Sequence, residues 1–94
     1  MELKLKKFGH ILISRQDGRE AVAAIKPVLK DLPENEKIIL DFEGVSTFTP
    51  SWGDEFLTYM LEKYGDRIKM ENTENPSVQA TLEILNSIKE DKVV

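Results

Sequence analysis

Near the middle of the chain, Lys37-Ile38-Ile39-Leu40-Asp41-Phe42 makes a short, nearly continuous apolar run, bounded by Asn35-Glu36 before it and Gly44 after it. A run of this kind suits a central strand covered on both faces. Ahead of it, Ala21 or Val22, then Ile25, Val28, Leu29 and Leu32 recur at helical spacing. Behind it a helix is predicted from about Pro50 to Tyr64, where Gly65 stops it. A strand lying between two helices favours crossover connections and a mostly parallel sheet.

The flanks add the remaining elements. Leu3 and Leu5 alternate with Glu2, Lys4 and Lys6, the period of a half-buried strand, and His10 to Ser14 resumes it after Gly9. The two strands are expected to pair as an antiparallel hairpin. Asp17 is a candidate N-cap for the first helix. Pro27 falls inside that helix, where a missing donor and a ring clash cost about 3 kcal/mol, so a kink near Lys26 or a short second helix is expected. Arg67 to Asn72 alternates as a strand nearer the edge. Asn75-Pro76 opens the last helix with a cap and the residue best suited to a first helical position. Val78, Leu82, Leu85 and Ile88 mark its apolar stripe. The order reads β-β-α-β-α-β-α: one small α/β domain over residues 1–94, with a mixed, mostly parallel sheet, helices packed on it, and a tail at 89–94 expected to fray.

Composition removes several classes of function. The absence of cysteine excludes disulfides, thiolate metal sites and a cysteine nucleophile. A formal charge of −4 disfavours nucleic-acid binding, which needs clustered Lys and Arg. Lys4, Lys6 and Lys7 are the densest basic spot, and Lys4 and Lys6 read as a solvated strand face. No apolar run approaches the roughly 18 residues of a membrane span, and the Met-Glu-Leu-Lys start lacks the apolar stretch of a signal peptide. The expected location is the cytoplasm, with no membrane and no nucleic-acid partner.

One stretch carries a resemblance. Ile38 to Phe56, with Asp41-Phe42-Glu43-Gly44-Val45 followed by Ser51-Trp52-Gly53-Asp54-Glu55, resembles the heart of STAS domains, the superfamily of sulfate transporters and anti-sigma-factor antagonists. It is most similar to an uncharacterised STAS-like family with an Asp-Phe-x-x-Val stretch and a Ser-aromatic-x-x-Glu helix start. Ser14-Arg15-x-x-Gly18-Arg19 also fits that family, and the element order matches from about Leu3 to Ile88. The resemblance implies a STAS fold and a regulatory role: antagonists of this kind bind a kinase-like ATPase, and phosphorylation of a serine at the helix start breaks the complex. That serine corresponds to Ser51. Thr49, Pro50 and Trp52 stand where the antagonist pattern commonly has Asp, Ser and Gly.

On their own chemistry the same residues leave alternatives open. Ser51-Trp52-Gly53-Asp54 is a capping-box pattern, and Thr49 can cap the helix instead, with Pro50 in the first turn. Ser51 is thus a cap, a partner contact or a candidate phosphorylation site. A phosphate there would gain from the helix dipole but meet Asp54 and Glu55 within one turn. Every aromatic residue except Phe8 lies between Phe42 and Tyr64. Trp52, Phe56, Met60 and Tyr64 form a stripe that Leu57, Tyr59 and Leu61 widen beyond what packing on a sheet requires. Trp52 is expected to be partly exposed at the mouth of the turn, as a binding anchor. The resemblance places Arg15 and Arg19 on the same sheet edge as the Ser51 turn, where an Arg can meet a partner carboxylate or phosphate with two parallel bonds. Asp41 is expected to tie down the turn around Gly44; with Glu43 and Asp54 it can also suggest a Mg²⁺ cluster. His10 with Ser51 and Asp41 is a conceivable triad, without the nucleophile elbow such a triad needs.

The reading is therefore a non-enzymatic interaction module without cofactor or metal. It binds a kinase-like ATPase or related protein through Thr49, Ser51, Trp52, Asp54, Glu55, Arg15 and Arg19. A nucleotide or anion sensor at the Ser51 helix start is the alternative, and a small hydrolase ranks last.

Overall fold

The computed structural model describes residues 1–93, with side chains described through residue 87. Three parallel strands, β1 (Glu2–Lys4), β3 (Ile38–Asp41) and β5 (Ile68–Glu71), form a sheet in the order β1-β3-β5. Two shorter strands, β2 (Ile11–Leu12) and β4 (Thr47–Phe48), pair with each other, also in parallel. Three helices join them: α1 (Arg15–Lys30), α2 (Pro50–Tyr64) and α3 (Pro76–Val93). The small α/β architecture and the central place of β3 are as the sequence implies.

The N-terminal hairpin is not formed. After β1 the chain coils into a 3-10 turn over Leu5–Phe8, closed by a Gly9 N–H bond to the Lys6 carbonyl, with Gly9 at φ +130°. Leu3 and Leu5 do alternate, but Leu5 and Phe8 are also three apart, the repeat of a 3-10 turn. Leu5 is wholly buried by this coil and Phe8 reaches the rings of Trp52 and Phe56. The two segments expected to pair therefore join different sheets: β1 lies beside β3 and β2 beside β4.

Register explains the layering. Leu3, Leu40 and Met70 occupy one row and turn inward, whereas Glu2, Ile39 and Lys69 form the row on the opposite face. Each step from β1 to β3 and from β3 to β5 runs in the same direction, so right-handed crossovers place α1 and α2 on one face. Leu3, Ile38 and Leu40 are buried there, while Glu2, Lys4 and Lys69 of the other face are exposed and Ile39 is half-buried. The expectation that β3 is covered on both faces fails for this reason: only the helical side is a core.

Within α1, Ala21, Val22, Ile25 and Leu29 are buried. Ser14, not Asp17, is the N-cap, its hydroxyl accepting from the Asp17 N–H at 3.0 Å. The helix is continuous through Pro27. Pro27 and Ala23, the residue whose carbonyl loses its donor, are both exposed, so water can take up the free oxygen. In α3, Asn75 caps as expected, its side-chain oxygen accepting from the Ser77 and Val78 N–H groups at 2.8 and 3.3 Å. Val78 is buried and Leu82 and Leu85 half-buried, whereas the side chain of Ile88 lies outside the described residues. The helix extends to Val93, and Val94 lies outside the described residues. Among the described residues, no helix is long and apolar enough to cross a membrane.

Candidate functional site

The Ser51 turn begins where β4 ends. The Thr49 N–H bonds the Leu12 carbonyl at 3.0 Å and its hydroxyl donates to the Ile13 carbonyl at 2.8 Å. Thr49 is thus the N-cap of α2 by position, but its side chain ties the turn to the end of β2 instead of capping the helix. Pro50 is the first helical residue and Ser51 follows inside the first turn, half-buried. The capping box is not formed, because Ser51 lies one full position inside the helix and cannot act as its boundary.

Trp52 is 1% exposed. The expectation of a partly exposed anchor is corrected: the indole stacks on Phe56 at 4.9 Å and meets Phe48 and Phe8 at 5.8 and 6.1 Å. The 3-10 coil supplies Phe8, which covers the side of the turn that the sequence left open. A contact made by Trp52 to a partner would have to pass through these rings.

The four charged residues expected at the interface are brought together, but onto one another. Arg15 Nη1 donates to Asp54 Oδ2 at 2.9 Å and Glu55 Oε1 at 3.0 Å, and Arg19 Nε sits 3.4 Å from Glu55. Hydrogen bonding to Asp54, then Glu55, strengthens the Arg15 charge, and the Arg15 hydrogen bond holds the Glu55 carboxyl below its ordinary value. These groups are solvent-screened, so their energetic weight is small. They do show that the N-terminal turns of α1 and α2 lie side by side. An anion approaching the Ser51 helix start meets this pair of carboxylates with Arg15 already engaged.

Asp41 is nearly inaccessible, 4% exposed. Its Oδ1 accepts from Asn72 Nδ2 at 2.8 Å and from the Glu43 N–H at 2.9 Å, so it ties down the turn before Gly44 as expected and also staples the end of β5. Asn72 holds a left-handed φ of +57°, which asparagine tolerates better than most residues. The Asn72 bond first, then the Glu43 N–H, lowers the Asp41 pKa below its ordinary value. A carboxylate with a depressed folded-state pKa adds stability above its unfolded pKa and loses it as pH falls through the folded value. Urea unfolding is therefore expected to show the wild type weakening below about pH 4 more steeply than Asp41→Asn, which lacks this ionisation. Parallel pH profiles would sink the assignment.

The triad is not assembled. His10 Nδ1 donates to the Gly44 carbonyl at 2.7 Å, Asp41 is held by Asn72 and Glu43, and no hydrogen bond among the described residues joins either to Ser51. Nor are Asp41, Glu43 and Asp54 gathered into a metal cluster: no group of three or more metal-ligating side chains converges among the described residues.

The feature that sequence reasoning did not locate lies beside the turn. An open groove of about 640 Å³ runs between α2 and α3 over β5. Leu57, Leu61, Met70, Leu82 and Leu85 make its floor, and Asp54, Glu62 and Glu83 stand on its rim. The surplus apolar width of α2 and the Leu82–Leu85 stripe of the last helix were its signals, and neither could say that the two faces would meet. Gly53 permits the wall: a Cβ there would sit 2.9 Å from Leu85 Cδ1 and 3.0 Å from the Phe48 ring.

In comparison with known proteins, the chain matches a family model described as a STAS-like domain of unknown function (DUF4325) over residues 17–78. That span runs from the first turn of α1 to the first turn of α3 and contains the whole Ser51 turn. No curated protein and no solved structure matches the chain.

Proposed function

The chain belongs to the family of STAS-like domains of unknown function, and from that premise we propose that it is a regulatory interaction module, not an enzyme, that binds a kinase-like ATPase or related regulator. The observation that carries this reading is the open apolar groove beside the Ser51 turn. A groove with four leucines and a methionine on its floor can take an apolar helix face, the commonest way a helical partner is held. Ser51 lies on the same helix as one wall of that groove. Gly53 supports the reading in a second way: without a side chain it lets Leu85 of α3 close on α2, so the two walls of the groove are packed together before a partner arrives.

Contact is assigned to the outer side of α2, with Ser51, Asp54 and Glu55 at its start and Thr49, Arg15 and Arg19 at its edge. Trp52 acts from beneath, by shaping the turn. Phosphorylation of Ser51 remains part of the proposal as the step that would release the partner, since it would place about −1.5 to −2 charges against Asp54 and Glu55.

Affinity capture from the native source, with intact mass of the recovered chain, tests both parts. The half-buried Leu61 and Leu82 line the groove. Leu61→Glu and Leu82→Glu are each expected to weaken capture of an ATPase at least tenfold, about 1.4 kcal/mol, with the folded state checked by urea unfolding. Undiminished capture by both variants, or a captured partner without ATPase activity, would reject this reading; a recovered chain that never carries phosphate would remove the switch.

A further inference from the structure

At the other end of α2 the charge pattern inverts. The last turns of α1 and α2, with the 3-10 turn Gly65–Arg67 that follows α2, border an open surface pocket of about 630 Å³. Lys26, Lys30, Lys63 and Arg67 line it, together with Tyr64 and Leu29. Four of the 13 lysines and arginines of a chain with net charge −4 thus face one cavity, and no carboxylate lines it. None of the four makes an ion pair with a described residue.

The arrangement is built rather than frayed. Lys26 and Lys63 both place their ammonium groups near the Tyr59 ring, 5.3 and 5.6 Å from its centroid. The Arg67 guanidinium lies 5.4 Å from the Tyr64 ring centroid and donates to the Pro33 carbonyl at 2.7 Å and the Glu36 carbonyl at 3.0 Å. Helix dipoles account for one cation at each helix end, Lys30 and Lys63. They do not account for Lys26, a turn earlier, or for Arg67 beyond α2. The two helix C-termini offset only about half a charge each, so the four cations leave a net positive potential over the cavity that an anion would neutralise.

We propose that this pocket binds a small molecule of nucleotide size carrying a multiply charged phosphate group. Its volume lies within the roughly 300–1,000 Å³ of small-molecule sites. The lysines act as point charges toward phosphate oxygens, and Arg67 adds directed donors held in a fixed plane. The pocket shares no residue with the α2–α3 groove, so the two proposals stand or fall separately.

Calorimetric titration of the full chain with inorganic pyrophosphate and with ATP, at low ionic strength, provides the test. Saturable binding of at least one probe is expected, with amide shifts in NMR spectra centred on Lys26, Lys63 and Arg67. Lys26→Gln combined with Lys63→Gln is expected to weaken it at least tenfold, Lys30→Gln by less, and Lys4→Gln combined with Lys6→Gln not at all. Silence with both probes at large excess overturns the proposal, as does equal weakening by the Lys4/Lys6 pair, which would mark diffuse charge attraction. Binding of an RNA oligomer or anionic vesicles through these lysines, with neither small probe bound, would overturn it in favour of a macromolecular surface.

Discussion

Replacing Trp52 by alanine is expected to lower the unfolding free energy by about 3–5 kcal/mol, the cost of removing a large aromatic side chain from a packed interior. A chain of 94 residues has about 5–14 kcal/mol in total, so the variant would retain a small margin or unfold near body temperature. The indole is 1% exposed and in ring contact with Phe8, Phe48 and Phe56, which belong to the 3-10 coil, β4 and α2. One truncation therefore opens a cavity where three elements meet. Urea unfolding reads the effect directly, and an unchanged midpoint would show that the indole does not hold this position. Any loss of partner capture by Trp52→Ala would then report unfolding, which is why the binding test uses Leu61 and Leu82 instead.

Gly18→Val is expected to cost about 3 kcal/mol, at the upper end of forced overpacking. On an exposed helix, glycine to alanine gains up to about 1 kcal/mol in propensity, so the ordinary prediction for a glycine in α1 is stabilisation. Gly18 reverses that sign. A Cβ there would lie 2.8 Å from the Trp52 carbonyl oxygen and 3.1 Å from Glu55 Cβ, and the first of these is backbone that cannot swing aside. The helices would have to separate at their closest point, which also pulls Arg15 away from Asp54 and Glu55. Urea unfolding of Gly18→Ala and Gly18→Val should show a graded loss, the alanine costing about 1–3 kcal/mol. A stabilised alanine variant would mean that α1 and α2 do not approach this closely.

Part of the site was legible and part was not. The groove is the clearest case: Leu57 and Leu61 announced apolar surface on α2 beyond the needs of a sheet, but the second wall comes from Leu82 and Leu85, more than twenty residues further along. Arg15 and Arg19 were placed on the correct edge. That they face carboxylates of their own chain, rather than a partner's, depends on the close approach of α1 and α2 at Gly18, which no local pattern signals. Asn72 could not be found as the partner of Asp41, because the strands they terminate are separated by all of α2.

What the sequence determined by itself was whatever rests on neighbouring residues. Pro50 to Tyr64 with Gly65, the Asn75-Pro76 start, the apolar run of β3 and the stretch from Asp41 to Phe56 all carry their signals within a few turns of chain. Tertiary structure decided what each apolar face meets. Leu3 and Leu5 keep a strand period while Leu5 and Phe8 keep a 3-10 repeat, and burial of Leu5 with packing of Phe8 against the core selected the coil over the hairpin. Pro27 was tolerated because its unpaired carbonyl partner faces water, and Trp52 was drawn inside because Phe8 arrived to cover it. Periodicity states that a side chain will be buried; only the packed chain states against what, since the stabilisation comes from surfaces that meet across long separations in sequence.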